Sequence, residues 1–112
     1  MARKIRLEAI GSECNAISVE FDYEEGGHNH WSGAQDKRGL YAYVTPVMIE
    51  QKEGYSTVTQ RVGKGAKLLL EELSRRNQKK LDALDFKDER VTRLINFVCN
   101  KYDIIITDKD WA

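Results

Sequence analysis

At 112 residues the chain has the length of one domain, able to bury roughly two-thirds of its unfolded surface in a single core. Its 41% hydrophobic and 32% charged residues exclude a disordered or fibrous class, and no apolar run reaches the span of a bilayer. Eighteen basic residues balance eighteen acidic ones, so any nucleic-acid footprint has to be a local patch.

The elements follow in chain order. Residues 4–10 alternate, with Ile5, Leu7 and Ala9 on one face and Lys4, Arg6 and Glu8 on the other. Gly11-Ser12-Glu13 interrupts, and residues 16–23 alternate again through Ile17, Val19, Phe21 and Tyr23. Both segments read as half-buried antiparallel strands, expected to pair as a hairpin. Residues 40–51, the turn Lys52-Glu53-Gly54 and residues 55–62 predict a second hairpin. An even turn gathers Val47, Ile49, Val58 and Val62 on one face, with Tyr41 and Tyr43 carried to that same face as core residues. Pro46, the one proline, lacks an amide donor and suggests an edge or a bulge.

Gly63-Lys64-Gly65 reads as the end of that strand and the junction to a helix. Ala66, Leu69, Leu70, Leu73, Leu81 and Leu84 fit one helical face broken at Asn77, with Glu71–Arg75 and Glu72–Arg76 at i,i+4 spacing. A second helix is expected after Asp85 as N-cap, carrying the stripe Val91, Leu94, Ile95, Val98 and Tyr102. Ile104-Ile105-Ile106 reads as a closing strand. Together these predict an α+β domain over residues 1–107: a mainly antiparallel sheet of about five strands, in the order ββββααβ, with two amphipathic helices on one face. Residues 108–112 form a short polar tail.

Between the two predicted hairpins runs the loop of residues 26–39, from Gly26 to Gly39, which holds both histidines and Trp31. A loop of this length in a small domain is a candidate functional segment. His28, Asn29, His30, Trp31, Lys37 and Arg38 are its candidate contact residues, with Trp31 the natural anchor type. In an extended backbone His28 and His30 project to the same side, as two metal ligands would. No third ligand stands at a diagnostic spacing. The letters His28-Asn29-His30 match the name of the HNH nucleases but not their dispersed ββα-metal motif. Ser32 beside these histidines has no orienting acid at a known spacing and no nucleophile-elbow glycines.

Two further strings carry weaker chemistry. Gly63-Lys64-Gly65-Ala66-Lys67 offers free amides and lysines to a phosphate but lacks the P-loop pattern. Residues 37–44 (KRGLYAYV) approach the RNP1 signature of RNA recognition motifs, yet their aromatics fall one position late and the predicted register turns them inward. Arg75, Arg76, Lys79 and Lys80 form the one basic patch that a nucleic-acid alternative would use.

Cys14 and Cys99 match no metal-binding spacing; Cys99 beside Val98 reads as a small buried hydrophobe. A disulfide between the two is the alternative. With no apolar leader after Met1, a reduced, cytoplasmic setting is expected. The leading functional expectation is a non-catalytic protein-interaction module that contacts a partner, or itself, through the 26–39 loop. Nucleic-acid binding by the basic patch and metal-dependent hydrolysis by His28 and His30 are the alternatives. No cofactor and no membrane partner are expected.

Overall fold

The computed structural model describes residues 3–28 and 35–111. The alternation at the N-terminus produces β1 (Arg3–Ile10) and β2 (Ala16–Glu24), which pair antiparallel with Ile5 opposite Val19 and Leu7 opposite Ile17. The connection between β2 and the next long strand carries a two-stranded ribbon, β3 (Gly27–His28) and β4 (Gln35–Asp36). β5 (Gly39–Lys52) then runs back along β2 and turns through Glu53-Gly54 into β6 (Tyr55–Arg61). Lys52 faces Tyr55, so the turn has the even length the patterning required, with Gly54 at φ +85°.

Residues 66–72 depart from the helical reading. They form β7 (Ala66–Glu72), antiparallel to β5 with Tyr43 opposite Lys67 and Tyr41 opposite Leu69. Both β6 and β7 therefore lie on one edge of β5, as two stretches of a single returning arm, while β2 lies on its other edge. Three consecutive leucines, Leu68 to Leu70, suit a helix face and a pleated arm alike, and the unfilled edge of β5 decides between them by pairing their amides. The pairs Glu71–Arg75 and Glu72–Arg76 do not form; Glu71 instead meets Lys80 and Glu72 meets Lys37.

Residues 62–65 are consequently no strand-to-helix junction but a bulge in the arm, opposite Thr45 and Pro46. Pro46 lies in an interior strand, and the bulge explains how. Its carbonyl accepts from Val62 N at 2.8 Å, so its nitrogen also faces the bulge, where no ladder bond is missed. Gly63 holds φ +71°, and a Cβ there would stand 2.5 Å from the Tyr102 ring. Tyr102 Oη donates to Lys64 O at 2.7 Å and closes the bulge from the far side.

The helices are α1 (Gln78–Asp82), capped by Asn77 and buried through Leu81, and α2 (Glu89–Tyr102). The cap of α2 is Asp88; Asp85 instead accepts from Lys87 N in the preceding turn. Val91, Ile95 and Val98 bury the stripe that the sequence showed, against Ile17, Val19, Phe21, Leu40, Ala42 and Val44. Each such side chain is worth ~1.5–3 kcal/mol when buried. β8 (Ile105–Ile106) joins the outer edge of β1, and Ile105 remains 69% exposed. The sheet order is β6-β5-β2-β1-β8, with β7 beside β6 on β5, in a small α+β fold. Beyond β8, Asp108 accepts from Glu8 N at 3.0 Å and Trp111 rests on Phe86, ring centroids 6.1 Å apart.

Because Leu40, Ala42 and Val44 face the helices, Tyr41 and Tyr43 do not; this corrects their placement in the core. They stand on the sheet's other face, where Lys67 Nζ lies 4.5 Å from the Tyr41 ring centre and covers it. Both faces of β5 are apolar at this point, so alternation alone did not reveal which one the helices take.

Asp88 joins cap to charge: it accepts from Arg90 N at 2.9 Å and from the Arg90 guanidinium at 2.7 Å. The Arg90 hydrogen bond holds its carboxyl below the usual carboxylate range. A depressed folded pKa stabilises above the unfolded value of about 4 and is lost as pH falls through the folded one. Asp88→Ala is expected to lower stability by about 1 kcal/mol at neutral pH, with the gap from wild type closing in strong acid. Urea titrations at both pH values measure it.

Candidate functional site

The site is built where β5 begins. Chain reversal between β2 and β5 places the β3–β4 ribbon at that end of the sheet, with Gly26 and Gly27 at positive φ to turn out of β2. The ribbon pairs Gly27 with Asp36 and His28 with Gln35, so part of the expected loop is strand. Asn29, His30, Trp31 and Ser32 lie outside the described residues, as does the side chain of His28. The metal and catalytic readings of those histidines lie outside them as well.

Lys37 and Arg38 are described, and both act at the base of the ribbon. Lys37 Nζ pairs with Glu72 at 3.1 Å. Arg38 donates from Nε to Glu25 O at 3.0 Å and from Nη1 to Ser74 O at 3.2 Å. Leu73 N donates to Arg38 O at 3.1 Å, and Tyr41 Oη donates to Lys37 O. The last residue of β7 reaches the first of β5 so closely that a Cβ on Gly39 would stand 2.1 Å from Glu71 O. The ribbon is thereby fastened to the end of the returning arm on two sides.

This fastening unites two groups that the sequence keeps apart. Arg38 meets Arg75 and Arg76 around a cavity of about 180 Å³ that is also lined by Tyr23, Glu25 and Ser74. Arg75 and Arg76 reach it because β7 ends at Glu72 and the chain bends there, whereas a helix would have carried them along a solvated face. Arg76 Nε donates to Gln78 Oε1 at 3.0 Å. Lys79 and Lys80 belong to α1, and Lys80 pairs with Glu71, so the four basic residues form no single strip.

Elsewhere four cations meet carboxylates: Lys4 with Glu20 at 3.9 Å, Lys67 with Glu24 at 3.0 Å, Arg90 with Asp88, and Arg93 with Glu89. The helix-free sheet face holds a second polar cavity of about 360 Å³, between Ser18, Glu20, Tyr43, Thr45 and Arg61. Placing Tyr43 in the core hid it, because its ring forms one wall. Among the described residues no group of three or more histidines, cysteines or acids could hold a metal ion. No described helix is long and apolar enough to cross a membrane.

Cys14 and Cys99 are free thiols in the core, and burial pushes both thiols up from their ordinary value. No protein-family model, no curated protein and no solved structure matches the chain.

Two outcomes follow from this geometry. Arg38→Ala is expected to cost about 1 kcal/mol, through loss of its carbonyl bonds, read as a lower urea midpoint. Neither thiol is expected to react with a disulfide reagent in the folded protein at neutral pH, and both should react in denaturant. Rapid titration of either native thiol would contradict its packing.

Proposed function

We propose that the protein is a small non-catalytic interaction domain, engaging a protein partner or a second copy through the ribbon and the 29–34 segment that joins its strands. The observation that carries this reading is the fastening of the ribbon base by Arg38 and Lys37. A contact segment springing from a fixed base loses less freedom on binding, which favours affinity. The segment contributes Trp31, the residue type that most often anchors an interface.

Two alternatives have less behind them. A continuous basic strip for nucleic acid is interrupted by the Lys80–Glu71 pair. The metal-dependent reading rests on His28 and His30 alone.

The test separates contact from fastening. A photo-reactive amino acid at Trp31 is expected to cross-link a partner, and His28→Ala with Trp31→Ala to weaken association at least tenfold (about 1.4 kcal/mol) without shifting the melting temperature. Association that persists unchanged in the double variant would remove the ribbon as the contact surface. Arg38 is unsuited to this test, because its loss also loosens the base.

A further inference from the structure

We propose that the cavity between Arg38, Arg75 and Arg76 binds a phosphate group, either as inorganic phosphate or as the monoester end of a small molecule. The site shares Arg38 with the ribbon base but does not rest on the ribbon's role as a contact surface.

The argument begins with charge. Three guanidinium side chains line one cavity of about 180 Å³, and Glu25 is the one carboxylate residue among its walls. Neither Arg75 nor Arg76 has a carboxylate within ion-pair distance among the described residues, and Arg38 is committed to carbonyl oxygens instead. Among the described residues this cavity thus gathers three arginines against the single carboxylate residue Glu25, a local excess of positive charge. Like charges gathered at one place repel, and a bound anion reverses the sign of that interaction.

The chemistry of the donors narrows the anion. Arginine presents planar forks that match the oxygens of a phosphate, each bond being assisted by full charge. Two of the three forks are already positioned: Arg38 by the Glu25 and Ser74 carbonyls, and Arg76 by Gln78. Arg38 keeps Nη2, Arg76 keeps both Nη groups, and Arg75 keeps all its donors for a ligand. Ordering two arginines in advance removes part of the entropy that binding would otherwise cost.

Size agrees as well. A water takes about 30 Å³ of liquid, so the cavity has room for about six, or for one tetrahedral oxyanion and a few waters. The remainder of a phosphomonoester would extend into solvent. Since Arg75 and Arg76 are exposed, binding should weaken as salt rises.

The test uses the whole chain, labelled with nitrogen-15, and follows the arginine Nε–Hε signals at low ionic strength. Inorganic phosphate and adenosine 5′-monophosphate are titrated separately against sodium chloride of equal ionic strength. Saturable shifts at Arg75 and Arg76 with phosphate, absent with chloride, are the expected result, together with a phosphate-dependent rise in melting temperature. Equal affinities for the two probes identify the phosphate itself as the ligand; tighter binding of the monophosphate identifies a small-molecule carrier. Arg75→Gln with Arg76→Gln should weaken both by about tenfold or more, while the melting temperature without phosphate does not fall below the wild-type value. Shifts reproduced by chloride, or an equal phosphate-dependent rise in the double variant, would overturn the site. A single-stranded oligonucleotide binding far more tightly than the monophosphate would overturn the small-molecule assignment in favour of nucleic acid.

Discussion

Two-sided pairing of β5 is the constraint on which the rest of the molecule depends. Its 14 residues satisfy β2 along one edge and the β6–β7 arm along the other. Its inner face supplies Leu40, Ala42 and Val44 to the core beneath α2. A strand used so completely cannot slip by one residue without turning Tyr41 and Tyr43 into the helices and Leu40 and Val44 out of them. Register, core composition and the placement of the arm are therefore one decision. Gly39 marks where that decision becomes tightest, since the arm passes its Cα with no space for a side chain.

Both proposed surfaces gather at the same end. Where β5 begins, the ribbon leaves the sheet, β7 ends and the turn toward α1 starts, so residues far apart in sequence share a few ångströms of surface. Arg38 is the hinge pin of this arrangement: its carbonyl bonds reach back to Glu25 and forward to Ser74. One side chain thus serves the ribbon as a fastening and the arginine cavity as a wall. The proposed interaction surface and the proposed anion site, set this close, would be coupled, because an ion drawn to Arg38 would act on the ribbon's base as well.

Much of the fold was legible in the sequence. The alternation of Ile5, Leu7, Ile17, Val19 and Phe21 identified β1 and β2, and the stripe of Val91, Ile95 and Val98 identified α2, because in each case one period dominates. Residues 66–72 were illegible for a physical reason, whereas the helix expected around Leu81 forms as α1. The leucine triplet of β7 suits either period, and the irregularity between Leu40 and Tyr41 shifts the pairing of β7 by one residue, breaking the strict alternation that marks a strand. The site suffered from the same error. Lys37 and Arg38 stood out as polar contact residues, but their fastening role depends on β7 arriving beside β5. Arg75 and Arg76 read as one helical patch with Lys79 and Lys80, and only the bend after Glu72 turns them toward Arg38.

The bulge at residues 62–65 has a consequence for how this chain tolerates change. It sets four residues against two on β5, and it separates an outer arm registered by the Glu53-Gly54 turn from an inner arm registered by the ribbon base. Those two halves are indexed independently. An inserted residue within the bulge meets no ladder and can be taken up as slack, whereas one inserted in β7 would exchange its faces and pull Lys67 from Tyr41. The arm behaves as a slide whose widest expansion joint is this bulge, where four residues stand against two.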